Sequence, residues 1–559
     1  MSPSSSSEIK LKWDALTEVL YTNPYSPSFY LARSHFYFSQ GFPDLASGDA
    51  YRGLLLIDEI EDEEGEYHDE AVASVVEGEG VERLAKELYL LLGQSLKRCG
   101  CLESAYNFLT RAIGRWPEED SLVEERRNLH ETYLLEEKRK LKDDSSGKSA
   151  QSLSDFAHPT STCNTTHTSG SCKLPDTGHA PRILYPWNTH EPSRYSTSTL
   201  STLNSLLRPH GPNLEIRKVA LPLLTYDGKG KEDVTQLGLF STTDLPPTTA
   251  VLHERTLLTA TATLHGELCD ACAAPLPPLS STASASQQPV ACPSCPDTIF
   301  CSSSCLSEAQ KIYHPALCSD GNADPFIHTL FKDPKPADAA DALYSLLLLR
   351  VLAMAETQEV HPLDLMVVKY IWGDFASSPK AYPLPSPEAN EAKVEAEYVK
   401  PYTTLPFTFT HCIQDPIHIL YSMDINPFTS LSTLSDPWIH QTLFAKFRGT
   451  ASGRVNPRTG IPETAAVHPL WCLANHSCAP NVEWKWGGEM ILKVREKKVE
   501  WGDEKDKGKW EGIKKDQEIL NHYCDVYLPA KERREWAAGA LGGVCMCDRC
   551  VWEASQKEE

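Results

Sequence analysis

The spacing of its cysteines constrains this chain more than any other feature. The eighteen cysteines are grouped, where core cysteines would be scattered. Cys269-x-x-Cys272, Cys292-x-x-Cys295, Cys301-x-x-x-Cys305 and His314-x-x-x-Cys318 follow one another, and Cys545-x-Cys547-x-x-Cys550 stands near the end. Met1–Lys10 is Ser-rich and polar, unlike a secretory leader, and no apolar run reaches the ~20 residues that span a bilayer. The expectation is a soluble intracellular chain, nuclear or cytoplasmic, without membrane contact. In that setting clustered cysteines hold metal rather than disulfides. A C-x-x-C turn presents two sulfurs to one ion, and zinc takes four thiolate or imidazole donors. The first eight donors therefore suit two structural ions, and the last three are one donor short of a third.

A chain of 559 residues exceeds the roughly 250–300 residues that one core serves, so several domains are expected. Residues 13–140 read as a helical domain after a disordered 1–12. Two helix pairs line up with the tetratricopeptide pattern, one through Tyr37, Gly41, Ala46 and Ala50. The other runs through Leu92, Gly93, Gly100, Ala105, Leu109, Ala112 and Pro117. Small residues let antiparallel helices approach, and proline ends the second helix. The acidic run Asp58–Glu70 reads as a solvated loop. Residues 141–182 read as a disordered linker in which Cys163 and Cys172 are plain thiols.

From about residue 214 the texture becomes strand-like at Leu214–Val219, Gly238–Phe240 and Val251–Leu252, with Gly228 and Gly230 at a hairpin tip. Gly487-Gly488 joins two alternating runs, Val482–Trp486 and Met490–Val494, which is a hairpin signal. Residues 336–358 read as a helix whose apolar run is interrupted by Arg350. The net charge of -23 lacks the basic footprint of nucleic-acid binding and is compatible with a basic protein substrate. No basic recognition helix accompanies the cysteines, which argues against direct DNA binding.

Asn475-His476-Ser477-Cys478 lies in the apolar context of Trp471–Ala474 and precedes Glu518-Ile519-Leu520-Asn521-His522-Tyr523. An Asn/Ser turn is ordinarily a surface turn and a lone tyrosine a core aromatic; their order, ahead of the cysteine triad, sets them apart. Together they resemble the catalytic half of SET-domain lysine methyltransferases. The 269–318 block resembles a MYND zinc finger, with Phe300 before Cys301 as in that family, so the whole is SMYD-like over about 210–553.

The resemblance implies that Asn475 and His476 contact S-adenosylmethionine. It also makes Tyr523 the catalytic tyrosine beside the cofactor, and Gly238 the glycine where backbone approaches it. On one zinc it places Cys269, Cys272, Cys301 and Cys305; on a second, Cys292, Cys295, His314 and Cys318. Cys478 completes a third site with Cys545, Cys547 and Cys550. The sequence departs from the family in the long gap between Cys272 and Cys292, filled by a Pro/Ser loop at Pro275–Pro289, and in keeping one glycine at 236–239. It departs again in Asp516-Gln517-Glu518, where the family has a Gly-Glu-Glu-type turn. Arg533 and Arg534 read as packing or solubility residues, and Arg495–Lys515, with Trp501 and Trp510, as an extended hairpin or loop.

The implied fold class is α+β: a split, β-rich SET domain at 210–526 with a pseudoknot-like crossing. It carries the finger at 269–318, a helical insert at 322–460 and a zinc segment at 527–553, behind the all-α N-terminal domain. The implied function is methyl transfer from S-adenosylmethionine to a lysine of a histone or other protein, with three zinc ions. The alternative is a non-catalytic adaptor whose tetratricopeptide-like and MYND modules bind peptide partners. The presence of Asn475, His476, Cys478, Tyr523 and the cysteine triad favours the enzyme.

Overall fold

A computed structural model describes residues 6–75, 80–144, 174–222, 233–262, 267–278, 288–295, 298–318, 336–373, 375, 404–456, 460–502, 510–541 and 543–556. Residues 145–173 of the linker, with Cys163 and Cys172, the tip at Gly228 and Gly230 and the centre of the Pro/Ser loop lie outside these residues; at the linker's ends helix runs to Asp144 and Gly178–Pro181 is a strand, against the disorder expected there. The structure is mixed α and β, with small sheets and a helical N-terminal region. It divides into two units: Met1–Ala180 with Leu384–Pro387 and Pro406–Ile413, and the remainder. Among the described residues no helix is long and apolar enough to cross a membrane.

The first unit is a run of helices, α1 Ser6–Thr22, α2 Pro27–Gln40, α3 Pro43–Glu61, α4 His68–Ala73, α5 Val81–Cys99, α6 Leu102–Arg115 and α7 Asp120–Asp144. Helix begins at Ser6, so residues 6–12 depart from the disordered N-terminus expected. Helix also takes both ends of the acidic run, leaving only 62–67 as turn; exposed carboxylates tolerate a helix surface as readily as a loop. The expected helix pairs, α2–α3 and α5–α6, close in the same way. Gly41 and Gly100 sit at φ +86° and +88°, a left-handed conformation that glycine adopts without strain. The following amides, Phe42 and Cys101, donate back to Tyr37 and Leu96, which terminates each first helix. Gly93 leaves room for Leu109: a Cβ there would lie 2.7 Å from its side chain. Tyr37, Ala46, Ala50, Ala105, Leu109 and Ala112 are all fully buried.

One ion pair lies inside this helical core. Arg33 donates to both carboxylate oxygens of Asp49 at 2.7 and 2.8 Å, and both side chains are 0% exposed. Buried charge is tolerated only when so paired.

In the second unit, β1 Leu214–Pro222 and β2 Asp233–Ser241 form an antiparallel ribbon. Helix α8 Thr197–Leu207 covers it, and the Asn204 amide exchanges hydrogen bonds with the Ile216 backbone. A three-stranded sheet joins β3 Ala250–Glu254 to the expected hairpin, β9 Val482–Trp486 and β10 Met490–Val494. Another joins β4 Thr259–Thr261, β8 Pro462–Val467 and β7 Ala451–Val455, so the expected helical insert ending at 460 overruns a strand. Ala451-Ser-Gly-Arg-Val lacks a clear polar–apolar alternation, which hides it in sequence. Two short strands, β5 Val290–Ala291 and β6 Ile299–Phe300, pair inside the first cysteine block.

The helix expected at 336–358 is α10 Pro336–Gln358. Its Arg350 reaches the backbone oxygen and carboxylate of Asp270 at 3.0 and 3.2 Å and lies 3.7 Å over the Tyr313 ring. Further on come α11 Asp415–Ser422, α12 Pro437–Thr450, α13 Ala530–Leu541 and α14 Asp548–Ser555.

Asp49→Ala removes the bidentate partner of a buried guanidinium. The expected loss is about 3–5 kcal/mol, read from the denaturant midpoint of the full chain. The double replacement Arg33→Met with Asp49→Leu should cost clearly less. Equal losses would mean that packing volume, not charge pairing, governs the site.

Candidate active site and metal clusters

The eight donors of the first block gather into two sets, Cys269, Cys272, Cys301 and Cys305, and Cys292, Cys295, His314 and Cys318. Tetrahedral zinc with bonds of about 2.3 Å requires sulfurs about 3.8 Å apart. In the first set Cys272 is 3.8 Å from Cys301 and 3.9 Å from Cys305. In the second, Cys318 is 3.8 Å from Cys292 and 3.6 Å from Cys295, and Nε2 of His314 is 3.3 Å from Cys295. These separations fit a shared cation, and the donor chemistry fits zinc. Local structure aims the sulfurs: Ser302 caps α9 Ser303–Ile312 by accepting the Cys305 amide, and the paired strands β5 and β6 lead directly into Cys292 and Cys301. The Arg255 guanidinium donates to the Cys305 sulfur at 2.9 Å.

The third set is Cys478, Cys545, Cys547 and Cys550. Cys478 lies 4.0 Å from Cys545 and 3.4 Å from Cys550, and its amide faces Cys547 at 3.4 Å. Contacts from Cys478 first, then Cys545 and Cys547, hold the Cys550 thiol far below its ordinary pKa. The arginines beside it have a definite task. Arg533, 1% exposed, donates to the Leu528 carbonyl at 2.6 Å and pairs with Glu553. Arg534 donates to the Cys550 carbonyl. Arg549, absent from the sequence reading, donates to the Cys478 and Val526 carbonyls. Of the two roles expected for Arg533 and Arg534, packing or solubility, these interior bonds agree with packing.

The segment Gln517–Tyr523 is laced between two neighbours. On one side Ile519 donates to Leu239 and Ser241 to Gln517. On the other, Asn521 donates to Asn475 and Ser477 to Asn521. Asn481 adds both ends of its amide, donating to Glu518 and accepting from Leu520. Asp516 opens this segment at φ +65°. It occupies the left-handed region where the expected turn carried glycine, and aspartate is among the residues that enter it at modest cost.

This lacing brings Gly238, Asn475 and Glu518 together. The Asn475 amide nitrogen donates to the Leu237 carbonyl at 3.0 Å and to Glu518 Oε1 at 2.7 Å. Two acceptors fix the orientation of the amide, because its oxygen could not face them. A Cβ on Gly238 would sit 2.6 Å from Glu518 Oε1 and 3.0 Å from Asn475 Nδ2. Glycine is required here to admit that pair. Burial raises the Glu518 carboxyl, opposed by the Asn475 bond.

The Tyr523 hydroxyl donates to the Ala474 carbonyl at 3.0 Å, and its ring lies 5.2 Å from His476 and 6.4 Å from Trp471. Burial lowers His476 to about 4, so the ring is neutral. The structure thus brings Gly238, Asn475, His476, Cys478 and Tyr523 into one neighbourhood, while the finger cysteines form their own clusters. Glu518 stood in the sequence reading as part of a motif without a role of its own, and Cys524 was not singled out. Cys524 lies within coordination distance of Cys478 and His476, but nothing in its spacing from the triad marks it.

A second glutamate was also missed. Glu254, at the end of β3, accepts the amides of Leu470 and Trp471 at 2.9 and 2.7 Å. It holds the entry to the Asn475 turn, and burial raises it to about 7. A lone glutamate closing a strand carries no sequence signal.

No family model matches the chain. A 90-residue stretch is 29% identical to the histone-lysine N-methyltransferase SET5 of Candida glabrata, covering 16% of this chain and 15% of that protein. The likeness is to a lysine methyltransferase, is distant, and spans a small part of each chain.

Two outcomes are expected. Atomic emission should find about three zinc ions per chain, and Cys292→Ser and Cys550→Ser should each lose one; an unchanged content would remove that cluster from the count. Glu254, raised in the folded state, keeps a proton that the unfolded chain releases, so its contribution to stability falls as pH rises from 4.5 through about 7. Relative to Glu254→Gln, the wild type should lose about 2–3 kcal/mol between pH 5 and 8, measured by denaturant titration. A difference that is flat with pH would show an ordinary carboxylate.

Proposed function

We propose that this protein transfers a methyl group from S-adenosylmethionine to the side-chain amine of a protein lysine. Its organisation on this reading is SMYD-like: a split SET domain with a pseudoknot-like crossing, a MYND-type finger at 269–318 and a zinc segment at 527–553. A tetratricopeptide-like domain precedes them. The observation that supports it best is the lacing of three distant segments around Asn475, Glu518 and Gly238, with the Tyr523 hydroxyl held at Ala474 on the same turn. The partial similarity to a lysine methyltransferase agrees with it.

The residues fit the cofactor's polar end. Both acceptors facing the Asn475 nitrogen are protein groups, so the amide oxygen is the atom offered to a ligand's ammonium. Glu518 fixes that orientation and adds negative charge beside it. S-adenosylmethionine supplies, when bound, a methyl group on a sulfonium, ready for in-line displacement by an amine. Trp471 lies tilted beside Tyr523, Trp484 packs edge-on to Trp471 and His522 stacks on Trp484, so the tyrosine ends an aromatic wall. A lysine desolvated against such a wall loses its proton more readily, so alignment rather than a strong base is what the site must provide. The Tyr523 hydroxyl, at the edge of this wall, orients the amine. Three zinc ions would fix the finger and the C-terminal segment. Histone and non-histone lysines both fit this chemistry, and the net charge of -23 suits a basic substrate.

Calorimetry of S-adenosylmethionine binding tests the proposal. The zinc-loaded protein should bind in the micromolar range and Asn475→Ala, with fold verified, should not. Tyr523→Phe should keep the affinity and slow methyl transfer by roughly hundredfold or more. A folded, zinc-loaded protein that binds no cofactor would sink the enzyme reading. It would leave the adaptor, in which the N-terminal helices and finger take peptide partners.

A further inference from the structure

The side chain of His476 faces two groups at once. The Tyr523 amide donates to its Nδ1 at 3.0 Å, and its Nε2 lies 3.4 Å from the Cys478 sulfur. A backbone N–H can only donate, so Nδ1 is the acceptor and carries no hydrogen. In a neutral imidazole the single hydrogen then resides on Nε2, directed at Cys478. This assignment decides between two roles. His476 lies close enough to Cys478 and Cys524 to join a metal set, but a ring nitrogen bearing hydrogen cannot ligate. Cys478, Cys545, Cys547 and Cys550 complete a tetrahedron without it. The ring is instead a hydrogen-bond donor to a sulfur that would hold the ion.

We propose that His476 is a positioning residue that couples metal occupancy of the C-terminal cluster to the placement of Tyr523. The proposal deepens, and rests on, the methyltransferase reading of Tyr523. Tyr523 is held at both ends by one turn: its hydroxyl by the Ala474 carbonyl and its backbone by the His476 ring. The far side of that ring is held by Cys478. A bound cation keeps Cys478 as a thiolate, which is the better acceptor for Nε2–H and fixes both ring orientation and tautomer. Without the cation, nothing fixes the Cys478 sulfur against Nε2, and the ring is then no longer held to present Nδ1 to Tyr523. Trp471, at 6.4 Å, flanks the same tyrosine ring, so a displaced Tyr523 also changes the wall against which a lysine would lie.

Two conservative replacements separate the two ends of the relay. In His476→Asn the side-chain oxygen falls where Nδ1 is, keeping an acceptor for Tyr523, but the side chain is too short to reach Cys478. In His476→Gln the amide nitrogen reaches the place of Nε2, keeping the donor to Cys478, with no acceptor at Nδ1. The full zinc-loaded chain is used for both measurements. Hydrogen–deuterium exchange, read by mass spectrometry on peptides ending on either side of Tyr523, reports the first contact. Zinc release to 4-(2-pyridylazo)resorcinol, with Cys550→Ser identifying the phase from this cluster, reports the second.

Exchange at Tyr523 should quicken roughly tenfold in His476→Gln and stay near wild type in His476→Asn. Release from the cluster should quicken roughly tenfold in His476→Asn and stay near wild type in His476→Gln. Changes of equal size in both variants, or in neither, would overturn the relay. Neither readout needs cofactor or methyl transfer. Absence of S-adenosylmethionine binding in the wild type would overturn the enzyme reading while these two measurements still judged the contact.

Discussion

Everything that resembles an active site here depends on one backbone arrangement. Gln517–Tyr523 is not part of a regular sheet, yet it is hydrogen-bonded along both edges, to Leu239 and Ser241 on one side and to Asn475 and Ser477 on the other. A buried segment must satisfy its amides and carbonyls somewhere. Here their partners come from parts of the chain more than two hundred residues apart in sequence. Asn481 pins the register, since its single amide serves both Glu518 and Leu520. A slip of one residue would turn Glu518 away from Asn475 and Tyr523 away from Ala474. The site is therefore a property of register, and single side chains matter largely through how they hold it.

Much of this was legible in sequence, for identifiable reasons. Gly41 and Gly100 read as members of the tetratricopeptide pattern, and both turn out to end a helix in the left-handed region that glycine enters without strain. The hairpin around Gly487 and Gly488 followed from alternation on both flanks, and α10 from a long apolar run broken only by Arg350. Donor pairs could be read because each short spacing places two on one turn, while their division into sets came from the family resemblance. Less visible were features whose partners are distant. Glu254 and Arg549 act on backbone groups of remote segments, which no local pattern records. The strand Ala451–Val455 has no periodicity of its own and takes its conformation from β8. Asp516 looked like a lost glycine, but an aspartate in the left-handed region keeps the turn. In Arg495–Lys515, Trp510 donates to the Arg495 carbonyl and Trp501 packs edge-on to Trp552; such cross-contacts leave only an excess of charge visible in the sequence.

The first cysteine block is tied to its surroundings on several sides. Arg255 follows Glu254 directly, so the residue after β3 reaches the Cys305 sulfur while the last residue of β3 holds the entry to the Asn475 turn. Arg350 binds Asp270, and Tyr313 donates to the same carboxylate. The tip of the β9–β10 hairpin presses on the block as well: a Cβ on Gly488 would lie 2.5 Å from Ala274. A module held at three points moves with the sheets that carry it. On the methyltransferase reading, its metal ions then bear on the geometry of the cofactor turn as well as on any partner the finger meets.

The C-terminal cluster makes the same point, with a small set of buried residues around it. The buried residues around it are Cys478, Cys524, Ala537, Cys545 and Cys550, with Leu541 and Cys547 beside them. Such a set buries too little apolar surface to offset the entropy of ordering the segment. Arg533, Arg534 and Arg549 supply hydrogen bonds, but those bonds specify geometry more than they stabilise it, since water competes for the same groups. A cation gathering four sulfurs does what a core cannot at this size, and its binding free energy becomes folding free energy. One of those sulfurs is Cys478, three residues beyond Asn475. An ion held by Cys478, Cys545, Cys547 and Cys550 would thus tie the described C-terminal residues to the Asn475 turn through one coordination sphere.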